Sequence, residues 1–148
     1  MPMTKAEMTA ALLAAKKKKK LTWEALAAKV GMSPVWTTSA CLGQNSAPAD
    51  VAIKIAKALG LTADIAEALT EFPMKGDTKA VPTDPVLYRF HEINLVYGET
   101  IKALIAEKFG DGIMSAIDFS MHIDRVEDPK GDRVKITMCG KFLPYKTW

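Results

Sequence analysis

Between Pro85 and Tyr97 apolar side chains fall on every side of a helix. Val86, Phe90, Ile93 and Tyr97 recur at spacings of three and four and make one stripe, but Tyr88, Leu95 and Val96 lie outside it. A helix that is apolar nearly all round has to be buried on several sides. Asp84 is a natural N-cap for it, with Pro85 at the first helical position. Gly98 interrupts the pattern, and ETIKALIAEKF continues it as a second helix, with Ile101, Leu104, Ile105 and Phe109 on one face and Gly110 as C-cap. The period then changes from helical to two. Ser115, Ile117, Phe119, Met121 and Ile123 alternate, as do Val134, Ile136 and Met138, around an Asp128-Pro129-Lys130-Gly131 turn. A helix pair and a β-hairpin are therefore predicted. Two strands alone are not stable in water, so this half must complete its fold against another chain, by intertwined dimerisation.

The N-terminal half reads differently. Thr4 to about Lys18 is rich in Ala, Leu, Met and Lys, all strong helix formers. Thr22 caps a second helix, WEALAAKV, that ends at Gly31, and Ser33 with Pro34 opens a third. Pro48 opens a fourth, ADVAIKIAKAL, closed by Gly60, and Thr62 caps a fifth through about Leu69. Trp23 to Leu42 has helix-turn-helix spacing: small Ala27, then Gly31, with apolar Leu26 and Val30. The predicted class is thus α+β: a helical bundle over residues 1–72 resembling a helix-turn-helix domain of the lambda-repressor type, a linker over 73–84, and an oligomerisation domain over 85–148. The linker is marked by Pro73, Gly76, Asp77, Pro82 and Thr83.

Charge argues against a nucleic-acid partner. Residues 1–70 hold nine lysines and five acids, and residues 71–148 eleven basic and twelve acidic residues, so +4 and −1. Five lysines form one run, Lys16 to Lys20, which could contact nucleic acid or an acidic surface, or simply complement the negative end of a helix dipole. Yet there is no Lys or Arg from Gly31 to Ile53, and the presumptive recognition helix offers Pro34-Val35-Trp36-Thr37-Thr38-Ser39-Ala40. Base readout rests on Arg, Lys, Asn or Gln, and affinity on cations at phosphates. The motif serves packing or assembly on this reading. No apolar run approaches the roughly 20 residues of a membrane span, and no basic-then-apolar signal pattern opens the chain, so a cytoplasmic location is expected. Cys41 and Cys139 are expected to be free thiols, and with His91 and His122 far apart no metal site is expected.

Arg89, Arg125 and Arg133 are the three arginines. Arg125 and Arg133 flank the polar turn and are expected to be solvated. Arg89 sits mid-helix among apolar residues, three positions before Glu92. That spacing makes an ordinary helical ion pair worth a few tenths of a kcal/mol. A guanidinium buried among apolar groups, however, is costly unless it is paired or holds an anion, and its planar fork of donors suits small carboxylate-like anions. Ser115 follows Gly110-Asp111-Gly112 where turn becomes strand; it is either a plain strand-start hydroxyl or a donor aimed at a bound anion. No base for a serine nucleophile is in view, which disfavours covalent serine catalysis.

The run PTDPVLYRFHEINLVYGETIKALIAEKFGDGIMSAIDF, Pro82 to Phe119, resembles the signature of the cyanases (cyanate hydratases, or cyanate lyases). The closing GKFLPYKTW resembles their C-terminus, and CLGQNSAPAD, Cys41 to Asp50, fits their helical N-terminal domain, so the likeness spans the chain. It implies bicarbonate-dependent decomposition of cyanate to carbamate, then ammonia, and carbon dioxide. It also implies that the domain over 85–148 is the catalytic one, with Arg89, Glu92 and Ser115 as catalytic residues, no cofactor beyond the bicarbonate co-substrate, and a homodecamer of five dimers with sites at subunit interfaces. One departure is His91, where an aromatic residue, commonly Tyr, is expected. Two other readings stand beside this one: a helix-turn-helix regulator with an oligomerising anion-sensing tail, and a purely structural module in which Arg89 and Glu92 are an interfacial ion pair.

Overall fold

The computed structural model describes residues 3–73 and 81–148. The chain divides into two compact units, Met1–Gly76 and Asp77–Trp148. The expected linker falls largely on residues 74–80, outside the described residues.

The first unit contains α1 (Lys5–Lys18), α2 (Trp23–Val30), α3 (Pro34–Cys41), α4 (Ala49–Leu59) and α5 (Ala63–Thr70). Several boundaries have a local cause. Thr4 caps α1 in a capping box with Glu7: its Oγ1 accepts from the Glu7 N–H while the Glu7 carboxylate accepts from the Thr4 N–H. Thr22 and Ser33 accept from Ala25 and Trp36 N–H groups, and Gly31 and Gly60 close α2 and α4 in left-handed conformation, at φ 78° and 69°. Thr62 differs from the expectation of a backbone cap, because its hydroxyl is turned to the Asp64 carboxylate. Lys20 takes the left-handed position after α1 where glycine is usual, at φ 52°.

One apolar core joins the five helices. Met8 and Leu12 of α1, Leu26 of α2, Cys41 of α3, Ile55 of α4, and Ile65 and Leu69 of α5 are all buried in it. Trp36 packs against this core from α3, and the Lys16 ammonium lies 4.4 Å from the ring centroid of Trp23. Both tryptophans thereby gain packing roles, and one lysine of the basic run is engaged within its own chain.

The polar side chains of α3 are buried or bonded within the chain. Thr37 is wholly buried, Thr38 donates to the Pro34 carbonyl at 2.7 Å, and Ser39 accepts from the Asn45 amide at 2.7 Å. The helix-turn-helix form is present, with Gly31 left-handed at the turn between α2 and α3.

The second unit consists of α6 (Pro85–Phe109), β1 (Gly112–Val126) and β2 (Arg133–Pro144), the strands forming one antiparallel pair. The α+β class stands, but the predicted helix pair is a single 25-residue helix that runs through Gly98. A lone interior glycine costs only about 1 kcal/mol relative to alanine, which the flanking helical turns carry. The apolar alternation holds along most of the hairpin: Met121 faces Met138 and Ile123 faces Ile136. At the tip Asp128 accepts from the Lys130 N–H and the Arg133 guanidinium, which together hold its carboxyl below the usual range. Arg125 pairs with Asp132 at 3.6 Å, so both turn arginines are exposed and ion-paired.

The core of the first unit has one polar defect. Among the described residues nothing bonds the buried Thr37 hydroxyl. Leaving such a group unpaired costs roughly 1–3 kcal/mol, and an apolar group of the same shape removes that cost. Thr37→Val is therefore expected to raise the melting temperature of the assembled protein, followed by circular dichroism. A lowered melting temperature would show that the hydroxyl is satisfied.

Candidate active site

The site residues named by the sequence are carried by two elements of the second unit. Asp84 fixes the start of α6, its carboxylate accepting from the N–H groups of Val86 at 2.8 Å and Leu87 at 3.1 Å, with Pro85 at the first position. One turn later, helical spacing brings Arg89 and Glu92 together: Nε lies 2.9 Å from the Glu92 carboxylate. His91 is turned to another neighbour, its ring 6.0 Å from that of Tyr88.

Arg89 is not buried, contrary to expectation; its side chain is 71% exposed. The reason lies in its surroundings. Val86, Tyr88, Phe90 and Ile93 are exposed as well, because no residue of α6 is buried by its own chain. In this setting the pair is an ordinary surface ion pair worth well under about 1 kcal/mol.

Ser115 is the opposite case. At 6% exposure it is the one buried residue of the second unit among those described. The strand alternation predicted through Ser115, Ile117 and Phe119 is broken there. Met114 pairs with Phe142 and Phe119 with Gly140, so Ser115 to Asp118 face only Lys141. Such a bulge re-aims side chains within a sheet. Its cause is local: Ser115 Oγ accepts from the N–H of Ile117 at 3.1 Å and of Asp118 at 3.0 Å, the arrangement of a helix N-cap set inside a strand. Both lone pairs of the hydroxyl are thereby engaged, and its proton remains to be donated.

These hydrogen bonds tie Ser115 to its own turn rather than to the Arg89–Glu92 pair. The second half of α6 rests on the hairpin base, where Phe109 stacks on Phe142 with centroids 5.2 Å apart. A cavity of about 270 Å³ beside that contact is lined by Ile101, Ile105, Ile113 and Tyr145, and none of the three site residues reaches it. The sequence reading passed over Gly140, although an isolated glycine within a strand pattern is a signal for a bulge or a close backbone approach. Among the described residues no group of three His, Cys, Asp or Glu side chains is placed to hold a metal ion, and no helix is long and apolar enough to cross a membrane.

A helical bundle of helix-turn-helix form, followed by a long uncovered helix and a bulged hairpin, has close counterparts among known proteins. The family described as "Cyanate hydratase, N-terminal" matches residues 5–73, and that described as "Cyanate lyase C-terminal domain" matches residues 79–147. The chain is 58% identical over 146 residues to the cyanate hydratase of Marinomonas sp. (strain MWYL1), covering 99% of this chain and 100% of that one. It is likewise 58% identical over 147 residues to the cyanate hydratase of Acaryochloris marina (strain MBIC 11017), covering 99% and 100%. The crystal structure of cyanase from T. urticae superposes with a TM-score of 0.81 at 39% identity, covering 93% of this chain and 96% of that one. The chain belongs to the cyanase family. Nothing in these likenesses favours a transcription regulator.

Removing the N-cap carboxylate tests how far the start of α6 governs the site. Asp84→Ala is expected to lower stability by about 1 kcal/mol. It should also loosen the turn that carries Arg89, so that turnover falls more than the melting temperature implies. Full turnover at reduced stability would separate the cap from the site.

Proposed function

We propose that the chain decomposes cyanate in a bicarbonate-dependent reaction. The observation that carries this reading is the match of both halves, over nearly the whole chain, to cyanate hydratases at 58% identity. Cyanate and bicarbonate, with one proton, give carbamate and carbon dioxide. Carbamate and a further proton then give ammonia and a second carbon dioxide. Carbon keeps its oxidation state throughout, so the chemistry calls for no electron carrier, and bicarbonate is consumed as co-substrate.

The physical difficulty is that two anions must meet. Attack of a bicarbonate oxygen on the cyanate carbon yields an adduct with both negative charges, and breaking the bicarbonate-derived C–O bond releases carbon dioxide. A fixed cation offsets the repulsion, and co-binding replaces a chance encounter with a positioned one. Arg89 takes that role as a permanently charged fork of donors. Glu92, 2.9 Å from it, holds the guanidinium in place and is the candidate to deliver the proton that the cyanate nitrogen gains. Ser115, its acceptors filled by two backbone N–H groups, donates its proton to the same anionic ligand.

The site is complete only in an assembly. Val86, Leu95 and Val96 are each more than 60% exposed within one chain, so α6 must be covered by other copies. Intertwined dimers, five to a decamer, supply that cover and bury Arg89. The free thiols of Cys41 and Cys139 suit a reducing cytoplasm.

Ammonia release from cyanate, measured with bicarbonate present and rigorously removed, tests the reaction. Bicarbonate-dependent ammonia is expected; its absence from a well-assembled oligomer would refute the enzyme reading. Arg89→Leu is expected to lower turnover by a factor of about 100 or more while the oligomer persists. Loss of the oligomer instead would mark the pair as a structural contact.

A further inference from the structure

Gly140 stands directly across from the turn that holds Ser115. It pairs with Phe119, the first residue after the bulge. A β-carbon there would lie 2.4 Å from the Ser115 carbonyl oxygen and 2.6 Å from Met114 Cγ. The first contact is with backbone, which cannot swing aside as the far end of a side chain can. Any residue with a side chain must therefore push the two strands apart at this point. Its φ is not in the left-handed region, so the demand on this glycine is for room alone.

Pushing on the Ser115 carbonyl rotates the peptide that starts the turn. The hydroxyl would then lose its alignment with the Ile117 and Asp118 N–H groups, at present 3.1 and 3.0 Å away. Those two bonds determine what the hydroxyl can do. With both lone pairs accepting, it offers only its proton, in one fixed direction; released from them, it can rotate and can accept as well as donate.

We infer that Gly140 is a positioning residue for Ser115: its bare α-carbon lets the bulge close, and the closed bulge makes the serine hydroxyl a fixed donor. This rests on the proposed role of Ser115, and the two can fail separately. Gly140→Ala is expected to assemble normally and to lower kcat/KM for cyanate by about 10- to 100-fold, the scale of a displaced catalytic group. Ser115→Ala is expected to lower it by about 100- to 1,000-fold, the scale of a lost anion-stabilising donor.

The deciding readout is the double variant. If Gly140 acts through Ser115, adding Gly140→Ala to Ser115→Ala changes kcat/KM by less than about twofold. A full additional loss would overturn the inference, because the glycine then serves the enzyme by another route. Unchanged activity of Gly140→Ala beside an inactive Ser115→Ala would overturn it too, while leaving the role of the serine intact. An active Ser115→Ala would sink both. A second measurement needs no glycine variant and tests the premise on which the inference stands, so it can overturn it even if Gly140→Ala does not assemble. Hydrogen exchange by mass spectrometry on assembled Ser115→Ala should show faster exchange at the Ile117 and Asp118 amides than in the parent protein. Equal rates would mean that the hydroxyl does not hold the turn.

Discussion

The uncovered surface of α6 is the constraint from which the rest of the second unit follows. Fully burying one large aliphatic side chain stabilises a fold by roughly 1.5–3 kcal/mol, and here Leu87, Leu95, Val96 and Leu104 are all more than half exposed within one chain. A hairpin of two long strands adds no second layer that could cover them. Phe109, at the C-terminal end of α6, stacks on Phe142 of the hairpin. The N-terminal half, where Arg89 and Glu92 sit, is held by its cap and its own helical bonds.

This arrangement separates the tasks of the candidate site. The cation and its carboxylate partner lie on a surface that one chain leaves open, so their electrostatic strength depends on what covers them. In water a charge pair of this kind is nearly neutral in effect. Excluded from water it becomes strong, because the effective dielectric falls. The serine is handled differently: its turn is finished within the hairpin, and its hydroxyl is oriented by its own chain. A long guanidinium on an open surface is held only by its partner carboxylate, whereas a short hydroxyl is fixed by two local N–H groups.

Most helix boundaries were legible because each has a local chemical cause. Thr22, Ser33 and Asp84 cap as their residue types predict, and Gly31 and Gly60 close helices in the left-handed region. Gly98 was misjudged because a glycine in a helix is a weak signal, easily outweighed by the turns on either side. The break at Ser115 was hidden for a different reason. Ser115, Ile117 and Phe119 satisfy strand alternation perfectly well, and only the competition of a side-chain oxygen for two backbone N–H groups, with a glycine opposite, converts the stretch into a bulge. The identities of Arg89, Glu92 and Ser115 as a set came from family resemblance; spacing alone left an ion pair and a hydroxyl.

The first unit shows why shape and activity have to be argued separately. Its α2–α3 crossing has the small Ala27 and left-handed Gly31 that a helix-turn-helix needs. What is missing is the outward chemistry. Thr37 is buried, Thr38 bonds the helix backbone, Ser39 is held by Asn45, and Trp36 packs on the core. The lysines that could attract phosphate cluster instead at the end of α1, where Lys16 already covers the Trp23 ring. A helix whose polar side chains are buried, as Thr37 is, or bonded within the chain, as Thr38 and Ser39 are, offers few free groups for contacts to a base edge. The same crossing geometry serves here to close a small core.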